Sequence, residues 1–114
     1  MRRNKLSRPE TLLVCICFLF TATVSADISG EKLYMKNCMV CHADDGSGVM
    51  PGVQDLEKNR AWSRIDESEL LKRLKEGIKS SESGVSMPAK GGNANLTDND
   101  LKKIIRYMRG SFLK

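Results

Sequence analysis

The segment Cys38-Met39-Val40-Cys41-His42 decides the fold, because it fixes what the rest of the chain must surround. On a helix, residues three or four positions apart lie on one face, so both thiols and the adjacent imidazole converge on a single ligand. Cys-x-x-Cys-His is the spacing of covalent haem attachment, in which each thiol adds to one vinyl group of a porphyrin and the imidazole binds its iron. We therefore predict one covalently bound haem c, attached to Cys38 and Cys41, with His42 as an axial iron ligand.

Two other uses of a Cys-x-x-Cys pair, a zinc site and a redox dithiol, find no support in the sequence. A structural zinc ion takes four ligands, whereas the chain after residue 26 holds only these two cysteines and a single histidine. A redox dithiol is expected after a strand in a βαβ unit, and no stretch of this chain alternates with the period of a strand. Haem attachment is the interpretation that remains.

The second axial ligand must come from elsewhere, because His42 is the chain's one histidine. Methionine is a usual partner of histidine in electron-carrying haem proteins. Met87 stands 45 residues after His42 in a loop and precedes Pro88, which restricts that loop. We predict Met87 as the second ligand, facing His42 across an apolar cleft, with Lys90 or an open iron position as alternatives. The remaining methionines after residue 26 lie close to the motif or on an inward helix face: Met35, Met39, Met50 and Met108.

Three helical stretches are predicted, joined by loops rich in Gly, Ser, Asn and Pro. The first covers residues 29–41 and leads into the cysteine pair, and residues 43–53 form a loop. The second, at residues 66–77, has an Asp66 cap, Gly77 at its end and an apolar stripe reaching Ile78. Residues 79–96 form another loop, and the third helix, at residues 97–110, begins with a Thr97 cap. The predicted fold class is all-α, with three or more helices wrapped around one haem.

The first 26 residues have the features of a secretory signal peptide. Four basic residues precede an apolar run over residues 12–20, and Val24-Ser25-Ala26 fits the small-residue rule for cleavage. We expect cleavage after Ala26, a monohaem domain at residues 27–114, and export to the periplasm. An uncleaved membrane anchor is the alternative, although the apolar stretch over residues 11–26 is shorter than the roughly 20 residues that span a bilayer.

The charge balance argues against nucleic-acid binding. The whole chain has a formal net charge of +5, but the leader holds four of its 19 basic residues and one of its 14 acidic residues, which leaves +2. A net charge of this size gives no support to binding of nucleic acid, and we expect no nucleic-acid partner. The third helix carries a basic face, which we interpret as solvated, with steering of an acidic partner as the alternative: Lys102, Lys103, Arg106 and Arg109.

Several segments together resemble the class I cytochromes c, and within them the small bacterial cytochrome c-five type. The resemblance covers nearly all of residues 27–114, but many members of that type carry an extra disulfide near the distal loop, and the chain after residue 26 has no further cysteines to form one. It implies that the first and last helices cross through Gly30, Tyr34 and Tyr107. The segments are Cys38-Met-Val-Cys-His42, Ala61-Trp62-Ser-Arg64-Ile65, Met87-Pro88-Ala-Lys90-Gly91-Gly92-Asn93, Leu96-Thr97-Asp98 and Tyr107-Met108.

The same resemblance implies roles for residues around the haem. The carbonyl of Pro51 is expected to orient His42 through its other ring nitrogen, a contact that tunes the basicity of the ligand. Trp62 and Arg64 are expected to lie near the haem propionates, with Arg64 as the charge partner. An ordinary surface position for Arg64 is the alternative.

The function implied is that of a periplasmic monohaem electron carrier, not an enzyme, that cycles Fe(III)/Fe(II) between larger redox proteins. Its partners would be a quinol-oxidising complex, a dehydrogenase, a terminal oxidase or a reductase. We expect a monomer, with a weak dimer as the alternative. Two other functions stay open: an open-iron haem enzyme or gas-binding protein, which would need a distal acid, base or hydrogen-bond donor, and a membrane-anchored haem subunit of an oxidoreductase complex.

Overall fold

The computed structural model describes residues 28–80 and 84–114, and within these ranges the regular structure is helical. Extended pairing there is limited to one antiparallel bridge between Ile78 and Met87. The all-α prediction is confirmed. The leader at residues 1–26 lies outside the described residues, and none of the described helices is long and apolar enough to cross a membrane. The helices are α1 (Gly30–Asn37), α2 (Met39–His42), α3 (Glu67–Glu76) and α4 (Asp98–Phe112), with 3-10 turns at Arg60–Arg64 and Ala89–Gly92.

Helices α1 and α4 cross at Gly30, where the absence of a side chain lets two backbones meet. A Cβ atom on Gly30 would collide with the main-chain carbonyl of Lys103 and lie 3.1 Å from Cβ of Tyr107. Beside the crossing, the rings of Tyr34 and Tyr107 contact each other with centroids 5.4 Å apart. The expected crossing through Gly30, Tyr34 and Tyr107 is confirmed.

Helix α4 begins at a capping box and runs past its predicted end. Thr97 Oγ1 accepts a hydrogen bond of 3.2 Å from the N–H of Asp100, whose carboxylate accepts one of 3.0 Å from the N–H of Thr97. The prediction that the helix ends at Gly110 is wrong, because it continues to Phe112, which is 4% exposed. The Phe112 ring packs 5.3 Å from that of Tyr34, and burial of an aromatic ring outweighs the weak helix propensity of glycine.

The first predicted helical stretch is divided in two. Helix α1 ends at Asn37, whose side-chain Nδ2 donates to the Leu33 carbonyl at 2.7 Å. A side chain that bonds the preceding turn competes with main-chain hydrogen bonding and favours interruption of the helix. After Cys38, α2 forms a separate turn in which the His42 N–H donates to the Cys38 carbonyl at 3.0 Å. The attachment motif therefore occupies a turn of its own.

Helix α3 begins and ends where predicted, with an Asp66 cap and with Gly77 at a φ of 80°. Ile78 differs from the prediction: it lies beyond the helix, is 43% exposed and pairs with the later loop. The inward side chains of α1, α3 and α4 form one core with those of the intervening turns. Its buried members are Leu33, Tyr34, Leu56, Trp62, Leu70, Leu74, Leu96, Leu101, Ile104, Ile105, Met108 and Phe112.

Candidate haem site

The two cysteines of the attachment motif are free thiols at the N-cap and within the short helix α2. Both are half-buried, and burial, together with the neighbouring Cys41, raises the pKa of the Cys38 thiol to about 11. Disulfide chemistry uses the thiolate, which the burial of Cys38 disfavours. No group of three or more His, Cys, Asp or Glu residues that could hold a metal ion occurs in residues 28–80 and 84–114. The surroundings of the pair thus give no support to a zinc or dithiol site.

His42 ends helix α2 as a half-buried imidazole. Burial lowers the pKa of His42, and the main chain of Gln54 acts in the opposite direction. A neutral imidazole is the form that binds metals. Its Nδ1 atom is buried and has no hydrogen-bond partner among the described residues. Pro51 is exposed, and the next residues, Gly52 to Gln54, line the cavity beside the imidazole, so the contact expected from the Pro51 carbonyl stays a prediction.

The chain leaves the motif through a strained residue that a tyrosine holds in place. Ala43 has φ 62° and ψ 171°, a conformation that glycine adopts far more readily than alanine. Its carbonyl accepts a hydrogen bond of 2.8 Å from the Tyr34 hydroxyl, and its N–H donates to the Met39 carbonyl at 2.8 Å. Burial raises the pKa of Tyr34 above its usual range, so the hydroxyl stays a donor. These contacts fix the direction of the backbone directly after His42.

His42 and Met87 line the same cleft. A cavity of about 410 Å³ opens to the surface between them, a volume within the range of roughly 300 to 1,000 Å³ found for ligand sites. An inner apolar pocket and a groove along Cys38 and Cys41 adjoin it, and His42 and Met87 line both of these as well. The inner pocket is walled by the side chains of the core and its neighbours, among them Leu56, Trp62, Leu70, Leu74 and Met108.

Met87 is held by the main chain at the end of α3. Its N–H and its carbonyl each exchange a hydrogen bond of 2.9 Å with Ile78. The approach is close because Gly77 has no side chain: a Cβ atom there would lie 2.6 Å from the Met87 carbonyl oxygen and 2.8 Å from the Ala89 nitrogen. Gly77 therefore ends α3 and also admits the backbone that carries Met87 toward the cleft.

This geometry can be compared with known proteins. A family model described as "Cytochrome C oxidase, cbb3-type, subunit III" matches residues 26–108, well over half of the chain. The chain belongs to the cytochrome c family. It is 28% identical over 100 residues to cytochrome c6 of Gracilaria tenuistipitata var. liui, covering 82% of this chain and 84% of the relative. It is 34% identical over 85 residues to cytochrome c-555 of Chlorobaculum tepidum, covering 72% of this chain and 73% of the relative.

Structural similarity leads to the same family. The solved structure of the KustC0563 c-type cytochrome superposes with a TM-score of 0.57 at 25% identity, over 76% of this chain and 100% of that one. The protein is thus a small class I cytochrome c, an electron-transfer protein with covalently bound haem c. A neutral imidazole and a thioether line the apolar cleft, and two free thiols lie beside it. This set of donor groups fits haem c. Assignment to the cytochrome c-five type stays a prediction.

Trp62 and Arg64 lie in different surroundings in the cytochrome. Trp62 is 5% exposed in the inner wall of the cleft, where its indole Nε1 donates to the Leu56 carbonyl at 2.8 Å. Arg64 is exposed at the end of the 3-10 turn and lines none of the three cavities that border His42. The structure therefore brings Trp62 to the cleft and leaves Arg64 at the surface, and the propionate contacts of both stay predictions.

Lys90, the alternative iron ligand, is engaged elsewhere. Its ammonium group donates to the carbonyls of Ala94 at 3.1 Å and Leu96 at 2.8 Å. These bonds hold the turn that follows Pro88, and Lys90 lines none of the cavities that His42 borders. The arrangement favours Met87 over Lys90 as the side chain available to the cleft.

Sequence reasoning missed several residues that line or support the cleft. Gln54 stands in a loop, where no periodicity marks an inward side chain, yet it lines the outer cavity and the inner pocket. Ile78 lines both as well, from beyond the helix to whose stripe it was assigned. Asn37 directly precedes the motif and is 9% exposed, and its contact across the cleft comes from Asn93, 56 residues away. The available signal for Asn37 was a polar residue on the inward side of an apolar helix face, one turn after Leu33.

Proposed function

We propose that this cytochrome is a single-electron carrier in which Cys38 and Cys41 hold haem c through thioether bonds and His42 and Met87 bind the iron. The observation that carries the proposal is that His42 and Met87, 45 residues apart, line the same three adjoining cavities. Imidazole and thioether are the ligand pair of haem proteins that transfer electrons. When bound, the haem supplies a reversible Fe(III)/Fe(II) couple.

The residues around the cleft have three tasks in this proposal. The apolar walls formed by Leu70, Leu74 and Met108 exclude water, and together with a thioether ligand they favour a raised reduction potential. The bridge between Ile78 and Met87 holds the distal ligand in position. The loop at residues 51–54 is proposed to supply the acceptor for Nδ1 of His42, in keeping with the role expected of the Pro51 carbonyl.

Electron exchange is proposed to take place where the attachment motif meets solvent. Four apolar side chains in the motif and the following loop are exposed: Met39 by 40%, Val40 by 75%, Val49 by 53% and Met50 by 49%. Val40 also lines the groove along the two cysteines. An exposed apolar area of this kind suits brief contact with larger redox proteins. The partners proposed are a quinol-oxidising complex, a dehydrogenase, a terminal oxidase or a reductase, with the carrier acting as a monomer.

The proposed location is the periplasm, with residues 1–26 removed as a signal peptide. The support is the basic start, the apolar run and the Val24-Ser25-Ala26 site. N-terminal sequencing of the exported protein should begin at Asp27. A first residue of Met1 on membrane-bound material would contradict export as a free domain.

A membrane-anchored haem subunit of an oxidoreductase complex is the second candidate. The observation in its favour is that the matching family model is named for a subunit of cytochrome oxidase. Fractionation decides between the two, because an anchored subunit stays with the membrane after a salt wash and copurifies with an oxidoreductase. The carrier appears in the periplasmic extract.

The iron ligation is tested by exchanging one methionine. In the oxidised wild type we expect the weak sulfur-to-iron charge-transfer band at the red end of the spectrum, and in the reduced protein slow carbon monoxide binding, because the thioether must first leave. Met87→Ala should lose the band and bind carbon monoxide rapidly. Met50→Ala removes an exposed methionine that lines none of the cavities bordering His42, and should behave as wild type. Rapid, complete carbon monoxide binding by the wild type would favour the open-iron enzyme or gas-binding protein instead.

A further inference from the structure

A pair of asparagines, one buried and the other half-buried, joins the attachment motif to the loop that carries Met87. Asn93 Nδ2 donates to Asn37 Oδ1 at 2.8 Å, and Asn37 Nδ2 donates to the Leu33 carbonyl at 2.7 Å. Asn37 is 9% exposed and is the buried polar residue of the described chain. Both polar atoms of the Asn37 side chain are thus hydrogen-bonded, one within its own helix and the other to a residue 56 positions away. Buried amides in this state are directional and hold two elements in one relative position.

The two asparagines lie next to the attachment motif and next to the turn that follows Met87. Asn37 is the last residue of α1 and directly precedes Cys38. Asn93 follows the 3-10 turn that begins two residues after Met87, and its N–H donates to the Lys90 carbonyl at 3.1 Å. Between them, Gly91 lets the two backbones approach, because a Cβ atom there would lie 2.9 Å from the Asn37 carbonyl oxygen. The contact therefore spans one edge of the cleft, from the first attachment residue to the distal loop.

We propose that Asn37 and Asn93 form a positioning pair that keeps Met87 on the haem iron by fixing the distal loop against the attachment motif. The inference rests on the proposed function, in which Met87 is an iron ligand. The Ile78 bridge holds Met87 from the α3 side, and the asparagine pair holds the same loop from the α1 side. With the pair broken, the loop loses its side-chain hydrogen bond to the end of α1, and the thioether leaves the iron more often.

The experiment measures the rate of carbon monoxide binding to the reduced holoprotein. This rate reports how often Met87 leaves the iron. Loss of the hydrogen bond between the two asparagines should raise this rate about tenfold in Asn93→Ala, and at least as much in Asn37→Ala, which also loses the bond to the Leu33 carbonyl. The double variant should show no more than the larger single effect, because both substitutions remove the same contact. Asn93→Asp keeps the shape of the side chain but places an oxygen against Asn37 Oδ1, so it should bind carbon monoxide at least as fast as Asn93→Ala.

Two controls separate positioning from general stability. Asn95→Ala changes an exposed asparagine of the same loop, whose main-chain N–H donates to Asn93 Oδ1 at 3.1 Å, and should leave the rate unchanged. Ile105→Val weakens the buried core at a residue of α4 that lines none of the three cavities bordering His42, and should lower the unfolding midpoint without changing the rate. A structural role alone would make the rate follow the unfolding midpoint across all variants.

The outcomes distinguish failure of the inference from failure of the proposed function. If the wild type shows the red-end band but Asn93→Ala and Asn93→Asp bind carbon monoxide at the wild-type rate, the positioning pair is refuted and Met87 ligation stands. Multiplicative effects of Asn37→Ala and Asn93→Ala would also refute it, because they would show two independent contacts. If the wild type lacks the band, Met87 ligation fails, and the inference fails with it.

Discussion

Gly77→Ala should move Met87, the proposed distal ligand, and the stability cost can be worked out from the contacts of Gly77. Gly77 has a φ of 80° and a ψ of 173°, a region used almost only by glycine, so an alanine there carries strain of about 1 to 3 kcal/mol. Its Cβ would also lie 2.6 Å from the Met87 carbonyl oxygen, 2.8 Å from the Ala89 nitrogen and 3.1 Å from the Pro88 carbonyl carbon. All three are backbone atoms of the segment that presents Met87, so the loop must shift by several tenths of an ångström, which costs about 1 to 3 kcal/mol more.

Gly84→Ala is the matched control for this prediction. Gly84 has a φ of 69°, but a Cβ atom there would meet no atom of the described residues within 4 Å. Gly84→Ala should therefore show the cost of a positive φ, about 1 to 2 kcal/mol, without the collision. Loss of the red-end band in Gly77→Ala alone would report the contact between α3 and the distal loop.

The assay combines guanidinium unfolding of the holoprotein with absorption at the red end of the oxidised spectrum. Gly77→Ala should lose about 2 to 6 kcal/mol of unfolding free energy, which adds the strain to the collision. It should also weaken or lose the sulfur-to-iron band, whereas Gly84→Ala keeps it. Equal losses of stability in the two variants, with the band intact in both, would refute the reasoning that Gly77 positions Met87.

Three further predictions concern the helices. Tyr34→Phe leaves the Ala43 carbonyl without the hydroxyl that donates to it at 2.8 Å, and should lower the free energy of unfolding by about 1 kcal/mol. The Tyr107 hydroxyl makes no hydrogen bond with the described residues, so Tyr107→Phe should lower it less. Because burial raises the pKa of Tyr34, the wild type should lose stability as the pH rises above about 10, where the unfolded tyrosine ionises first, and Tyr34→Phe should lose less. Thr97→Ala should lower the free energy of unfolding by about 1 kcal/mol, measured by circular dichroism melts near neutral pH. Hydrogen bonds from Thr97 lower the pKa of Asp100, so the difference in stability between wild type and Thr97→Ala should shrink as the pH falls below about 4. Gly110→Ala, within a helix and with nothing within 4 Å of its Cβ, should stabilise the protein by about 0.5 to 1 kcal/mol, and a loss of stability would contradict this.

The features predicted from the sequence were those with local physical causes. The Asp66 and Thr97 caps depend on side chains that reach only two or three residues along the chain, and Gly77 marks a helix end through its own φ. The actual end of α4 depends instead on the burial of Phe112 against Tyr34, 78 positions away in sequence, and no local pattern reports such a contact. Ile78 was assigned to a helical stripe for the same reason: its bridge to Met87 is visible only in three dimensions.

The two sides of the cleft are built on different principles, and this explains why the contacts of one side follow from the sequence and those of the other do not. On the proximal side, attachment residues and imidazole lie within five consecutive positions, so spacing alone places them. On the distal side, Met87 is placed by contacts with the end of α3 at Ile78, while Asn93 ties the same loop to the end of α1. Met87 could therefore be named by elimination among the methionines of the sequence. The contacts that hold it depend on two helix ends that meet one loop. Substitutions at those helix ends should consequently change the iron's sixth ligand while leaving covalent haem attachment intact, and pyridine haemochrome spectra of Gly77→Ala and Asn93→Ala should still report two thioether bonds.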